Sequence, residues 1–450
     1  MAPNGGRSLA CQPRGGELSR SILAVLGVLA VATVLGAVLL VGDTEGGAPV
    51  LLGIRAEFIL FALTLLGVAL LHRHTLEVAL VGLASILLCK LLFVPSFHLV
   101  EHLHDEWQIL VNLLGLLLGF ALLAKHFEES RVPEWLPKIL PGGWRGGFVL
   151  LAMVFVLSSF LDNIAAAMIG GTMALVVFKG RVDIGFLAAI VAASNAGGSG
   201  SVVGDTTTTM MWIDGVAAID VTHAYAAAIP ALLICGTIAA KQQHRHQPLG
   251  GATTEVIKID WPKIFIVALI LAGAIATNML LDFPAVGVWV ALLIGALFSK
   301  TAWYELPGAL KGSIFLLSLV TCASLMPVEE LPVASWKTAF ALGFASAVFD
   351  NIPLTKMALD QGGYDWGMLA YTVGFGGSMI WFGSSAGVAL SNMFPQAKST
   401  PTYLKRGWHV TVAYIIGFFI MLALVGWQPH APHREGAAAP AQELRDPARP

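Results

Sequence analysis

Charged side chains are what this sequence has least of. Only 12% of the 450 residues are Asp, Glu, Lys or Arg, whereas soluble proteins carry about 25%. Hydrophobic residues make up 56% of the chain, and apolar runs near the roughly 20 residues that cross a bilayer recur along most of its length. This composition excludes an ordinary soluble enzyme. It predicts an all-α polytopic membrane protein in contact with lipid.

Cysteine is also scarce, and the few cysteines stand far apart. Without a CxxC pair or a His/Cys ligand spacing, the pattern indicates neither a disulfide nor a structural metal, and we expect no cofactor. No His/Asp/Ser constellation lies in the apolar segments, so we expect a protein that is not an enzyme. No basic stripe suggests nucleic acid as a partner. The cysteines are Cys11, Cys89, Cys235 and Cys322.

The apolar runs predict about eleven crossings and two shorter, interrupted stretches. Stretches 146–178 and 336–360 are each broken near the middle by Asp-Asn, and their arms are too short for full crossings, so both are predicted as re-entrant hairpins. Residues 1–19 are predicted as a polar cytoplasmic terminus, 241–260 as a cytoplasmic linker and 428–450 as a disordered tail. The predicted crossings are 20–42, 49–71, 76–97, 108–125, 184–213, 222–240, 261–282, 284–299, 312–327, 366–395 and 409–427.

Loop charge orients this topology. With the amino terminus inside, most Lys and Arg residues fall on the cytoplasmic side, and loops such as "GDTEGGAP" and "EHLHDE" are left outside. This is the asymmetry that the positive-inside rule describes. We therefore predict a multi-pass protein of the cell (inner) membrane with its carboxyl terminus outside.

The two halves of the chain resemble each other. "SSFLDNIAAAM" (158–168) matches "SAVFDNIPLTKM" (346–357), and "NAGGSGSVVGD" (195–205) matches "GFGGSMIWFGS" (374–384). Repeat 1 is predicted over 49–240, after a first span and loop at 20–48, and repeat 2 over 261–427. Five crossings and a hairpin in each unit invert the second relative to the first. Inverted repeats with interrupted helices are typical of secondary transporters.

The glycine-rich segments predict two broken spans, 184–213 and 366–395. We expect 195–204 and 374–385 to be unwound, because glycine-rich backbone persists in a membrane only inside protein or beside water. Such breaks free carbonyl and amide groups that can bind an ion. The glycines predicted in unwound backbone are Gly197, Gly198, Gly204, Gly376, Gly377 and Gly383, and the hydroxyls nearby are Ser199, Ser201, Thr206, Thr207, Thr208, Thr209, Ser378, Ser384 and Ser385.

Three aspartates stand at these interruptions: Asp162, Asp205 and Asp350. An intramembrane carboxylate costs at least about 2.5–3.5 kcal/mol and suggests function. Carboxylate oxygen suits a small hard cation, and burial favours the protonated form, so cation and proton could compete for one group. Helix capping is the alternative for Asp162 and Asp350, and it is compatible with ion binding.

Lys356 leaves several interpretations open. It lies six residues beyond Asp350 and could be a counter-ion to that carboxylate, a fixed charge in place of a second cation, or an anion-binding group. Snorkelling of its ammonium group to the outer surface is equally compatible with the sequence.

These motifs resemble the NhaD-like sodium/proton antiporters of the ion transporter superfamily, which also includes dicarboxylate/citrate carriers and arsenite pumps. "SNAGGSGSVVGDTTTTMMWIDG" is the most specific of them, and the resemblance covers about residues 50–427. It implies a homodimer of eleven-span protomers, each with a scaffold and a moving transport domain. It also implies that Asp162 and Asn163 lie on the ion-binding tip of the first hairpin, Asn195, Gly197 and Asp205 to Thr208 on the first broken span, and Asp350 and Asn351 on the second tip.

The sequence therefore predicts a Na⁺(Li⁺)/H⁺ antiporter that works by alternating access. Asp162 and Asp205 would exchange cation and proton. Neutral oxygens would come from Asn163, Asn195, Thr206 and Thr207, and Asp350 with Asn351 would complete a second site. The alternative is Na⁺-coupled symport of a small di- or tricarboxylate, bound near Ser378, Ser384, Ser385 and Lys356. The dicarboxylate carriers have Ser-Asn-Thr at the tips where this chain has Asp-Asn, and an aspartate would repel an anion.

Overall fold

The computed structural model describes residues 49–51, 53–71, 74–249 and 257–430. These residues form α-helices, short 3₁₀ turns and one antiparallel pair of strands, β1 (Val50–Leu51) and β2 (Ile54–Arg55). The helices are α1 (Ala56–Leu70), α2 (Thr75–Phe93), α3 (Leu99–Glu129), α4 (Val132–Trp135), α5 (Trp144–Ser158), α6 (Asn163–Val177), α7 (Ile184–Ser199), α8 (Thr206–Ile213), α9 (Ala218–Thr222), α10 (Tyr225–His246), α11 (Trp261–Leu281), α12 (Pro284–Phe298), α13 (Leu306–Ser324), α14 (Trp336–Ser346), α15 (Asn351–Gln361), α16 (Trp366–Gly376), α17 (Ser385–Met393), α18 (Thr400–Arg406) and α19 (Trp408–Leu424).

The described residues divide into two compact units, one that ends at Phe97 and one that begins at His98. In the first unit, α1 and α2 pack against each other. Their contact is close because a Cβ at Gly82 would lie 2.2 Å from Thr64 Oγ1, so glycine lets the two helices approach.

Two helices form the centre of the second unit. Every residue of α7 from Gly185 to Ser199 is buried, and so is every residue of α16. α7 packs on α5, α6, α10 and α16, whereas α16 also packs on α14 and α19. These two helices are therefore surrounded by protein on all sides. Both lead directly into a break.

The breaks occur in four helix pairs, and each second helix begins at a capped residue. Asp162, Asp205, Asp350 and Ser384 are the N-caps of α6, α8, α15 and α17, and each side chain accepts a backbone N–H of the first turn. Such caps satisfy amide groups that a helix start leaves without a partner.

The apolar helices fit a polytopic membrane protein. Among the described residues, five helices are long and apolar enough to cross a membrane, or six if α18 and α19, bent by 58°, form one span. Five more apolar helices are shorter. The eleven crossings and the inverted repeats stay predictions, and the first predicted span, 20–42, lies outside the described residues.

Two predicted boundaries differ from the structure. The sequence predicts a linker from residue 241, but α10 continues to His246. The basic side chains in its last turn stabilise this end because they interact favourably with the negative end of the helix dipole. The tail was expected to be disordered from 428. Gln428 N instead donates to Asp365 Oδ2 (3.0 Å) and His430 N to Tyr364 O (3.0 Å). Residues 431–450 of the tail lie outside the described part.

The unwound stretches are also shorter than predicted. α7 continues through Asn195, Gly197 and Gly198 to Ser199, so the first break is confined to 200–205. α16 likewise includes Gly376. Of the glycines predicted in unwound backbone, the structure places Gly204, Gly377 and Gly383 outside the helices.

Candidate functional site

Asn163 is the centre of a polar network between the first hairpin tip and the first break. Its Nδ2 donates to Asp205 Oδ2 (2.8 Å) and to Asn195 Oδ1 (3.1 Å). All three side chains are buried. The network therefore joins the start of α6, the end of α7 and the start of α8 at one point.

Asp205 is held rigidly as the N-cap of α8. Its Oδ1 accepts from Thr207 N (2.9 Å) and Thr207 Oγ1 (2.9 Å), in addition to the bond from Asn163 to Oδ2. Two carboxylate oxygens offer about four acceptor positions. The bonds within the described residues thus use three of them and leave acceptor capacity for a cation or a proton.

The following threonines hold the break itself. Thr208 Oγ1 donates to Ser201 O (2.6 Å), and Thr209 Oγ1 donates to Val202 O (2.8 Å). These hydroxyls satisfy carbonyl groups that the interrupted helix leaves open. The threonine run therefore has two roles, in which Thr207 fixes the carboxylate and Thr208 and Thr209 fix the loop.

Asn195 connects the first break to the second. While its Oδ1 accepts from Asn163, its Nδ2 donates to Ser378 Oγ (2.9 Å) and Ser384 Oγ (3.2 Å). Ser378 lies just after α16 and Ser384 caps α17. One amide side chain therefore contacts both interrupted helices.

The second tip is less connected. Asp350 Oδ1 accepts from Ile352 N (3.0 Å), and Ser385 Oγ donates to Asp350 Oδ2 (3.4 Å). Among the described residues, the buried Nδ2 of Asn351 has no hydrogen-bond partner. The repeat alignment pairs Asn351 with Asn163 and Ser384 with Asp205, so the carboxylate that binds Asn163 in the first half is a hydroxyl in the second.

The helical glycines allow close helix contacts. A Cβ at Gly197 would lie 2.0 Å from Phe155 O of α5, and one at Gly376 would lie 2.3 Å from Gly343 O of α14. A Cβ at either distance would overlap the carbonyl oxygen. Glycine at these positions thus brings each central helix against the first arm of a hairpin, which explains why α7 and α16 contain glycine without being unwound there.

Asp162 and Asp205 both face a cavity of about 300 Å³. Thr206 and Thr209 supply further polar groups to its lining. The remaining wall comes mainly from α3, between Leu113 and Ala124, and from the first half of α13, between Ala309 and Leu316. Asp350 is not among the residues that line this cavity.

Lys356 does not snorkel to a surface. Its side chain is fully buried, and its Nζ contacts Glu106 Oε1 (3.2 Å) and Asp360 Oδ1 (2.5 Å). Glu106 belongs to α3, whereas Lys356 and Asp360 lie one turn apart on α15. Snorkelling is thus wrong, because this ammonium group is paired with two carboxylates inside the protein.

Glu106 and Asp360 were missed as partners by reasoning from sequence. Asp360 carried a signal, since opposite charges four residues apart on a helix face each other. Glu106 carried none, because it lies 250 residues from Lys356 and in a stretch that reads as a polar loop. Ser313, which lines the cavity from α13, gave no signal either.

The chemistry of the site is that of oxygen ligands. Carboxylate, amide and hydroxyl oxygens converge at the first tip and break, and they suit a small hard cation. In the described ranges, no group of three or more His, Cys, Asp or Glu residues could hold a metal ion.

Comparisons with curated proteins give similar sequences. The chain is 28% identical over 343 residues to "Na(+)/H(+) antiporter NhaD" of Alkalimonas amylolytica, covering 63% of this chain and 68% of that protein. It is 27% identical over 324 residues to "Sodium/proton antiporter 1" of Arabidopsis thaliana, covering 61% of this chain and 53% of the plant protein. A third relative, "Na(+)/H(+) antiporter NhaD" of Vibrio parahaemolyticus, is 24% identical over 313 residues, covering 55% of this chain and 72% of that protein.

The matched region thus spans about half of the plant protein and about two thirds of the Alkalimonas one. No family model matches the chain. All three relatives are named as antiporters and none as an enzyme, in agreement with the expectation of a transporter. The resemblance predicted from the Asp-Asn and Gly-Asp-Thr motifs is confirmed, and the chain is NhaD-like in sequence.

Proposed function

We propose that the protein is a secondary active Na⁺(Li⁺)/H⁺ antiporter of the cell membrane. The observation that carries this proposal is the position of Asp162 and Asp205. Both carboxylates face one cavity where the first hairpin tip meets the first broken helix. Similarity to proteins named as sodium/proton antiporters supports the choice of ions.

The exchange follows from the chemistry of these two carboxylates. A carboxylate removed from water is unfavourable without a positive partner, so a cation or a proton must neutralise it. When Na⁺ binds, Asn163, Asn195, Thr206 and Thr207 offer neutral oxygens close to the charge. When the cation leaves, a proton takes its place, so one group alternates between two cargoes.

Asp350, Asn351, Ser378, Ser384 and Ser385 form the proposed second half-site. Asn195 connects it to the first through its bonds to Ser378 and Ser384. Because only the first half has a carboxylate at the break, we propose that cation and proton compete mainly at Asp162 and Asp205.

Alternating access is supported by the position of the cavity and the pairing of the glycines. The cavity lies toward the ends of α3 and α13 that carry Lys125 and Lys311, which loop charge predicts to be cytoplasmic. The repeat alignment pairs Gly197 with Gly376 and Phe155 with Gly343, and equivalent contacts occur in both halves, Gly197 against Phe155 and Gly376 against Gly343. We propose that the two halves are inverted repeats and that the cavity in this state opens to the cytoplasmic side. We also propose that the protein is a homodimer.

The symport alternative has lost its main support. It placed an anion near Lys356, but that ammonium group is paired with Glu106 and Asp360. The cavity instead presents carboxylates, which repel anions.

Exchange can be tested in everted vesicles with a fluorescent pH probe. On addition of NaCl or LiCl between pH 6 and 9, we expect proton movement with the native protein and none with Asp205→Asn. The amide keeps the shape of the side chain but cannot carry the charge that cation and proton share. Asp282→Asn is the matched control, because Asp282 is an exposed aspartate at the end of α11.

Full exchange activity in Asp205→Asn would remove this residue from the mechanism. Entry of labelled citrate that needs Na⁺, without proton movement, would instead establish the symport alternative.

A further inference from the structure

The cluster of Lys356, Glu106 and Asp360 lies away from the cavity, near the start of α3 and the end of α15. On α3, the nearest cavity-lining residue, Leu113, is about 10 Å along the axis from Glu106. On α13, the cavity is lined by the first half, whereas Ser324 at the other end bonds His102 Nε2 of α3 (3.0 Å). The start of α3 therefore contacts the ends of both α13 and α15.

The cluster joins two elements that the proposed mechanism must separate. α15 is the arm of the second hairpin and starts at the tip residue Asp350, whereas α3 forms the wall of the cavity. α13 packs on both helices. The Glu106–Lys356 ion pair (3.2 Å) thus links the hairpin directly to the wall.

Burial makes this link sensitive to its environment. The side chains are 0% (Lys356), 7% (Glu106) and 18% (Asp360) exposed, so their charges are removed from water in the present state. Lys356→Met leaves Glu106 and Asp360 without this ammonium group, whereas Glu106→Gln removes the ion pair between α3 and α15 and leaves Lys356 paired with Asp360. Loss of a buried ion pair is far costlier than loss of an exposed one. Opening this end would hydrate the remaining charges and so relieve that cost.

We propose that Lys356, Glu106 and Asp360 form an ion-pair latch that holds the predicted outer end closed while the cavity is open to the predicted cytoplasmic side. Lys356 and Glu106 are positioning residues for the exchange reaction. They act through the equilibrium between the two access states and not by contact with the transported ion. The latch rests on the proposed function only in needing alternating access, since it does not depend on which ion is carried.

Cysteine labelling tests the latch without measuring transport. In a background with Cys11, Cys89, Cys235 and Cys322 replaced by serine, Ala121→Cys places a thiol on the cavity wall. The measurement is the rate at which a membrane-impermeant maleimide labels this thiol in everted vesicles. We expect Lys356→Met and Glu106→Gln to slow labelling by about fivefold or more, because the inward-open state loses population.

Two further variants separate a latch from a general loss of structure. The exchange Glu106→Lys with Lys356→Glu keeps one ammonium group and two carboxylates in the cluster and should restore the native labelling rate. Glu129→Gln breaks the ion pair between Glu129 of α3 and Lys263 of α11, at the other end of α3, and should leave labelling unchanged. If Lys356→Met does not reach the membrane, Glu106→Gln and the charge exchange decide the outcome.

Unchanged labelling in Glu106→Gln, or failure of the charge exchange to restore a slowed rate, would overturn the latch. The proposed function fails separately. If the vesicles show no Na⁺/H⁺ exchange but the labelling rate still changes in the cluster variants as expected, the latch stands and the transported substrate is a different one.

Discussion

At the scale of single residues, substitution of Asn163 would remove two buried hydrogen bonds of the candidate site. It donates to a carboxylate and to a second amide within one buried network. A hydrogen bond to a charged group contributes about 1.5–3 kcal/mol. The residue therefore influences both the charge on Asp205 and the position of Asn195.

We predict that Asn163→Ala raises the Na⁺ concentration for half-maximal exchange by roughly tenfold or more, because Asp205 loses one of its three hydrogen-bond donors and the site loses an oxygen. Na⁺ titration of the exchange signal measures this. Asn112→Ala is the matched control: Asn112 is also buried, and its side chain bonds Ala285 N (3.2 Å) and Asp282 O (3.4 Å) and none of the polar residues of the site. An equal loss in both variants would show that the effect is one of folding.

At the scale of elements, the two central helices depend on glycine for their approach to the hairpin arms. We predict that Gly197→Ala and Gly376→Ala each destabilise the protein by about 1–3 kcal/mol, because the new methyl group would overlap a backbone oxygen. Thermal unfolding in detergent measures the change. Gly308→Ala on α13 has nothing within 4 Å of its Cβ and should be neutral or slightly stabilising, so an equal loss there would contradict the prediction.

Much of this architecture could be predicted from local sequence. Asp-Asn within an apolar stretch predicted two helix breaks, where the aspartates are caps, and Gly-Asp-Thr predicted the break before α8. These signals are readable because capping and helix interruption depend on residues adjacent in the chain.

What could not be predicted depends on contacts between distant segments. The glycines of α7 and α16 suggested unwound backbone, but Gly197 and Gly376 are helical and allow close contact with α5 and α14. The partnership of Lys356 with Glu106 joins residues of two helices without any local pattern. Asn195 is similar, since its position in an apolar helix does not reveal which break each end of its amide contacts.

At the scale of the whole molecule, a cation that binds the folded protein should stabilise it. We predict that saturating Na⁺ raises the free energy of unfolding in detergent, by about 2.7 kcal/mol at one hundred times its dissociation constant. The effect should shrink as pH is lowered, because protons compete for Asp162 and Asp205. Thermal unfolding at several Na⁺ concentrations and pH values measures both trends.

Asp205→Asn should lose this Na⁺-dependent stabilisation, whereas Asp282→Asn should keep it. Equal stabilisation of both variants would place the cation elsewhere in the molecule.

The single amide of Asn195 also bears on the ancestry of the two halves. Its carbonyl end can only accept and its amino end can only donate, so the connector has a direction that an inverted duplicate could not share. The aligned position in the second half is Gly374, which has no side chain to compete for the same space. If the halves arose by duplication, they are no longer interchangeable at this position: two copies of the first would carry two asparagines here, whereas two copies of the second would carry none.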